Sequence, residues 1–277
     1  MIGPTTSFIE TGPLRFRTLT WGQGSETVLF LHGLSGVAEV WGPTVDHLPA
    51  TRRYVALDQR GHGQSAAPAA GYTASDMVSD AASVIEQLGE RVHLAGHSMG
   101  ARIALVLAAR LPHLLRSVAI IDIGPEASKA NIENTVRGIG TRPERFESRG
   151  EALEFAFRKR QSTPADEAVF LARLSPHSDG SFTWRASREA LAACVTEQRS
   201  RNYWREWRHI VGPALYVHGG TSNEVPFRIA EKMRRENPAV RFERFEGVGH
   251  NIPLLAPKLL AESLPRHWAT PEQSAKK

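Results

Sequence analysis

Four short stretches carry side chains that could do chemistry together. The first is AGHSMGA, in which Ser98 stands between Gly96 and Gly100. A glycine two positions before and two after a serine lets the chain turn sharply from strand to helix and lifts the hydroxyl above the sheet edge. The next amide, that of Met99, then lies at a helix N-terminus, where it can hold a developing oxyanion. The second stretch is LFLHGLSG at 29–36, an apolar run ending in a loop. Its Leu34 N–H is the candidate second oxyanion donor, and His32 reads as a structural hydrogen-bonding residue. The third is ALDQRGHGQS at 56–65, a strand running into a Gly-rich turn. Asp58 and His62 there could form part of a metal site, but no further ligands appear at metal spacing, so no metal is expected. The fourth is GVGHNIP near the C-terminus. A serine hydroxyl needs a base to take its proton, and His250, flanked by glycines that allow an exposed loop, is the candidate.

A serine–histidine pair also needs a carboxylate that orients the imidazole and stabilises its charged form. The stretch VHGGTSNEVP at 217–226 ends a strand where such an acid commonly stands, yet Asn223 occupies the expected place, and an amide cannot hold that charge. Two acids remain. Asp122, in AIIDIGP, stands at the carboxyl end of the strand after the Ser98 helix, on the edge that Ser98 and the His250 loop share. Glu224 lies one residue past Asn223 and has a longer side chain. Asp122 is the preferred acid and Glu224 the second option; a purely capping role for Asp122 is the competing structural reading.

These residues need elements to position them. Short apolar, β-branched runs at 27–33, 53–61, 91–98, 116–124, 213–220 and 240–250 read as strands covered on both faces. Helical patterns lie between them: 73–89 with Thr73 or Ser75 as N-cap and Gly89 as C-cap, 99–112, and the amphipathic 225–237. The segment SFIETGPLRFRTLTWG reads as a leading hairpin. Strand–helix alternation predicts an α/β fold, a mostly parallel doubly wound sheet with helices on both faces. Roughly 85 residues between IDIGPE and GPALYVHGG lack a core strand, too long for a structureless loop. Four helical patterns recur there, which predicts an inserted helical lid over 126–208, with the core formed by 1–125 and 209–277.

The chain has 277 residues, 41% of them hydrophobic and 23% charged, which suits one large domain with an insertion. Its net charge is +5, with a pI near 9.6. The basic residues are interleaved with acidic ones and no recognition motif accompanies them, so no nucleic-acid partner is expected. A single cysteine, Cys194, excludes an internal disulfide and reads as a buried thiol on a helix. No apolar run approaches signal-peptide or membrane-span length, so a cytoplasmic protein without membrane partners is expected.

Taken together, HG at 32–33, DQRGHGQS at 58–65, GHSMG at 96–100 and GVGH at 247–250 resemble the α/β-hydrolase superfamily over nearly the whole chain. The plan is similar to that of members with their acid after the strand following the elbow helix, such as 2-(acetamidomethylene)succinate hydrolase. The resemblance implies a serine hydrolase for an ester, amide or lactone, with Ser98 as nucleophile, His250 as base, Asp122 as acid, Leu34 and Met99 as oxyanion donors, and no cofactor. The same fold serves hydrolases of carbon–carbon bonds in vinylogous diketones and non-catalytic small-molecule receptors. The expected partner is a small molecule. The inserted segment is rich in arginine, which suggests a carboxylate near the scissile bond, with Arg160 the first choice to bind it. Trp184, Trp204 and Trp207 read as packing within the insertion.

Overall fold

The computed structural model describes residues 3–158 and 161–269. The chain opens with the expected hairpin, β1 (Thr5–Thr11) and β2 (Leu14–Trp21), paired antiparallel. There follow β3 (Thr27–Leu31), the short α1 (Gly42–Val45), β4 (Arg53–Leu57), α2 (Ala74–Leu88), β5 (Val92–His97), α3 (Met99–Arg110) and β6 (Leu115–Ile121). Next come α4 (Lys129–Gly140), β7 (Arg145–Phe146), α5 (Arg149–Phe157), α6 (Pro164–Leu171), β8 (Leu174–Pro176), β9 (Phe182–Trp184), α7 (Arg188–Gln198) and α8 (Trp204–Arg208). The alternation then resumes with β10 (Ala214–Gly219), α9 (Phe227–Glu236), β11 (Arg241–Phe245), α10 (Ile252–Leu255) and α11 (Pro257–Trp268).

Eight strands form one sheet in the order β1-β2-β4-β3-β5-β6-β10-β11. β2 meets β4 antiparallel, and every later neighbour is parallel. Side chains alternate across the sheet. In β3, Leu29 and Leu31 join the core that holds Met77, Val84 and Ile103 of α2 and α3. Val28 and Phe30 join the opposite core with Trp41, Leu260 and Trp268. Both faces of the central strands are therefore covered, which is why their sequence is continuously apolar. Each fully buried aliphatic or aromatic side chain contributes about 1.5–3 kcal/mol relative to exposure.

The helix ends follow the sequence chemistry. The Thr73 hydroxyl accepts the Asp76 N–H at 3.2 Å and the Asp76 carboxylate accepts the Thr73 N–H at 3.0 Å, closing a capping box on α2. Gly89 ends the helix with φ 75°, a left-handed conformation that glycine adopts without a Cβ clash. Cys194 is buried on α7, and burial pushes its thiol up to about 12.

Between β6 and β10 the four expected helical patterns appear as α5 to α8. Two features there go beyond those patterns. α4 is mostly exposed: its stripe of Ile132, Val136 and Ile139 packs on Leu191 and Val195, a three-residue signal at helical spacing that was passed over. β7, β9 and β8 form a separate three-stranded antiparallel sheet. Strands of two or three residues are too short to show alternation. Trp184 packs there against Phe146, Phe155 and Phe170, with ring centroids 5.7–6.2 Å apart. Among the described residues no helix is long and apolar enough to cross a membrane.

Candidate active site

β5 ends at His97 and α3 begins at Met99, so Ser98 alone makes the turn, with φ 53° and ψ −114°. A non-glycine residue held there costs about 1–3 kcal/mol, which the surroundings must supply. The Ser98 N–H donates to the Ile121 carbonyl at 3.0 Å and the Ser98 carbonyl accepts from the Arg102 N–H at 3.1 Å. The flanking glycines are required sterically. A Cβ on Gly96 would lie 2.2 Å from the Gly100 carbonyl oxygen, and one on Gly100 would lie 2.4 Å from that of Leu31.

Three residues distant in sequence converge at this turn. His250 Nε2 lies 3.0 Å from Ser98 Oγ, and His250 Nδ1 lies 2.7 Å from Asp122 Oδ2. With Nδ1–H donating to the carboxylate, Nε2 presents its lone pair to the serine hydroxyl. Asp122 follows directly on β6 with φ 52° and is fully buried. Its Oδ1 accepts the Gly219 N–H at 2.8 Å, and its Oδ2 also accepts the Ser222 hydroxyl at 2.5 Å. Burial opposes the charge on Asp122, but the hydrogen bonds from His250, Ser222 and Gly219 outweigh it and hold the carboxyl below the usual range.

The turn after β10 therefore supplies donors to the acid in place of an acid. Glu224 is committed elsewhere: it pairs with Arg199 at 3.1 Å and accepts from the Asn131 amide at 3.1 Å. Asn223 lines the cleft beside His250 without touching the imidazole. Of the two acids the sequence offered, the one beside His250 is Asp122, and the Glu224 carboxylate is turned to Arg199.

His97 is a further residue that sequence reasoning passed over, although it sits inside the GHSMG motif. Its Nε2–H donates to the His250 carbonyl at 2.8 Å, pinning the loop that carries the imidazole. Burial, and then the nearby His250, push its pKa down to about 3, so it is neutral at pH 7.

The loop after β3 is tied to the same turn. The His32 carbonyl accepts from the Gly100 N–H at 3.1 Å and from the Gln59 side-chain amide at 2.7 Å. His32 Nε2 accepts the Gln59 N–H at 3.1 Å, so its Nδ1 carries the proton and donates to Gly33 O at 2.7 Å. His32 is a loop-fixing residue, as its position suggested. His62 Nε2 accepts the Ser35 N–H at 3.2 Å, and its Nδ1–H donates to Arg60 O at 2.9 Å. Asp58 accepts the amides of Ala38 and Gln64 at 2.7 and 2.9 Å and the Arg17 guanidinium at 3.1 Å. Asp58 and His62 thus anchor loops. Gly33 passes so close that a Cβ on it would lie 3.1 Å from Ser98 Cβ. Among the described residues the N–H groups of Leu34 and Met99 have no acceptor, which leaves both free to bind an oxyanion.

Two spaces adjoin the triad. A cleft of about 720 Å³ is lined by His250, Asn223 and Glu224 together with Glu126, Asn131 and Asn134 from the segment after β6. A separate cavity of about 30 Å³ lies between Gly33, Leu34, His97, Arg173 and Asn251. Arg160, the arginine chosen from sequence for a substrate carboxylate, lies outside the described residues.

The alpha/beta hydrolase family model matches residues 28–263. The 2-(acetamidomethylene)succinate hydrolase of Mesorhizobium japonicum is 28% identical over 260 residues, 92% of each chain. A crystal structure of E-2-(acetamidomethylene)succinate hydrolase superposes with a TM-score of 0.88 at 26% identity, covering 95% of this chain and 98% of that one. The (E)-2-((N-methylformamido)methylene)succinate hydrolase of Acinetobacter baylyi is 36% identical over 102 residues, 36% of this chain and 38% of that protein. A sharp strand–serine–helix turn, a histidine loop after the last strand and a family match spanning both make the chain a member of the alpha/beta hydrolase family.

Proposed function

We propose that the protein is a serine hydrolase that cleaves an ester, amide or lactone bond of a small, carboxylate-bearing substrate through an acyl-enzyme. The observation that carries this reading is the continuous hydrogen-bonded line from Ser98 Oγ through His250 to Asp122, at 3.0 and 2.7 Å. Ser98 Oγ attacks the carbonyl carbon as its proton passes to His250 Nε2. The carbonyl oxygen becomes an oxyanion held by the Leu34 and Met99 amides. Asp122 keeps Nδ1 protonated and stabilises the imidazolium. His250 then gives its proton to the leaving oxygen or nitrogen, and that bond breaks. Water adds to the acyl-enzyme, loses its proton to His250, and the acid departs as Ser98 regains a proton. These steps need no cofactor.

The segment 126–208 acts as a lid in this reading, because its residues wall the cleft beside His250. The 2-(acetamidomethylene)succinate and (E)-2-((N-methylformamido)methylene)succinate hydrolases among the relatives support an N-acyl enamine whose amine half carries a dicarboxylate as the first substrate class to test. The test is a panel of nitrophenyl esters, lactones, N-acyl enamines of dicarboxylates and vinylogous diketones, run with wild type and Ser98→Ala. Turnover that vanishes in Ser98→Ala, with wild-type Ser98 labelled by a fluorophosphonate, is expected. Retention of a tenth of the activity in Ser98→Ala would sink the proposal, and labelling without turnover of any class would favour a receptor.

A further inference from the structure

Most insertion arginines that meet a carboxylate do so at the surface or across the insertion. Arg145 pairs with Asp179, Arg149 with Glu167, Arg188 with Glu144 and Arg199 with Glu224. Arg142 lies over the Trp184 ring at 4.6 Å and donates to the Ala186 carbonyl. Arg173 differs. It follows α6 and lines the 30 Å³ cavity beside the oxyanion loop. Among the described residues it has no carboxylate within ion-pair distance, and its Nε is buried without an acceptor.

The surroundings do not compensate this charge. Burial lowers the Arg173 pKa to about 10, so the group is still a cation at neutral pH. The titratable groups that face it are histidines. Burial holds His32 well below its usual range, and holds His62 near 4 and His97 near 3. Arg173 itself depresses His32 and His62 further. All three are neutral at pH 7. Arg173 is half-buried with its Nε enclosed, and a guanidinium so placed among neutral neighbours is costly unless an anion completes the site. The cavity exceeds the roughly 10–15 Å³ that one water requires and suits a group of a few atoms. A planar fork of N–H donors matches a carboxylate.

We propose that Arg173 is the specificity-determining residue of the site, receiving a carboxylate of the substrate in the cavity between Gly33, Leu34, His97 and Asn251. This rests on the hydrolase reading above and names the part of the substrate that reading leaves open. Because the cavity shares Leu34 with the oxyanion site, the carboxylate lies within a few bonds of the scissile carbonyl, and a succinyl ester presents one there from the acyl side. Succinyl-type acyl groups have that spacing.

The experiment compares mono-p-nitrophenyl succinate with p-nitrophenyl pentanoate, which matches the chain length without the charge. Wild type is expected to prefer the succinyl ester by at least about tenfold in kcat/KM. Arg173→Met should lower kcat/KM for the succinyl ester by about 100-fold and leave the pentanoyl ester within threefold. Arg173→Lys, which keeps the charge but not the fork, should fall between them and serves if the Met variant does not fold. A binding readout runs beside it: sodium succinate, against sodium chloride at equal ionic strength, should raise the Tm of Ser98→Ala and leave that of Ser98→Ala/Arg173→Lys much less changed. Equal loss on both esters, or the same succinate stabilisation with and without Arg173, overturns the assignment while the hydrolase reading stands. No turnover of either ester and no labelling of Ser98 would instead defeat the hydrolase reading, and the succinate shift would still decide Arg173.

Discussion

Asp122→Asn is the substitution whose consequence the structure specifies most closely. The carboxylate uses Oδ2 for both His250 Nδ1–H (2.7 Å) and the Ser222 hydroxyl (2.5 Å), and Oδ1 for the Gly219 amide (2.8 Å). The Gly219 and His250 partners present N–H groups on either side, so neither position of the carboxylate suits the NH₂ of an asparagine. If the amide nitrogen faces Gly219, two buried donors collide and one goes unsatisfied, at about 1–3 kcal/mol. If it faces His250, Nδ1 must become the acceptor and the proton moves to Nε2, where it blocks proton transfer from Ser98. In either orientation the imidazolium loses its counter-charge. A comparable change in a serine protease lowers kcat by ~10⁴, or about 5 kcal/mol of transition-state stabilisation. The assay is kcat on any ester the wild type turns over, with folding of each variant checked by circular dichroism. Glu224→Gln is the control: it should keep kcat within a few-fold yet lose stability, because it breaks the buried pair with Arg199. Asp122→Asn within tenfold of wild type, or Glu224→Gln as the inactive variant, would refute the assignment of the acid.

Two further outcomes follow from the same geometry. Ser222→Ala removes one charge-assisted donor from Asp122; kcat should fall about 10-fold and the acid limb of the kcat–pH profile should move up, since the carboxyl is less well held. Stability should decline as pH falls below about 6.5, because His62, His93, His97 and His267 are buried with pKa values pushed down to about 3–4. The unfolded chain binds protons first, so this stability is complete above the unfolded value of ~6.5 and is lost as pH falls toward the folded values, by up to about 2 kcal/mol per histidine at pH 5; urea melts at pH 7.5 and 5 measure it. Asp122 is also depressed and adds a loss only below its unfolded value of ~3.9, so a midpoint flat between pH 7.5 and 5 would contradict the histidine term alone.

The parts legible in sequence were those whose cause is local. Ser98 announces itself because the lack of a Cβ on Gly96 and Gly100 lets β5, α3 and β3 approach at that turn. Thr73, Asp76 and Gly89 mark the ends of α2 for equally local reasons. The choice between Asp122 and Glu224 was not local. It depends on where β6 and β10 end relative to a loop 128 residues further along, and on Arg199 claiming Glu224. Asn223, which made the stretch puzzling, is explained by its neighbours: Gly219 and Ser222 serve as donors to an acid that arrives from β6. Arg173 was invisible for a different reason. Its distinction is the lack of a carboxylate partner among the described residues, and a sequence crowded with acids cannot show which arginine goes without one.

The central claim is that Ser98 becomes acylated. Rapid acid quench of wild type with a slowly deacylating ester, followed by peptide mass mapping, tests it directly. One acyl group per chain is expected on the peptide containing Ser98, appearing in a burst before steady-state release and absent from Ser98→Ala. Steady turnover with no adduct on that peptide, or the same turnover in Ser98→Ala, would contradict it.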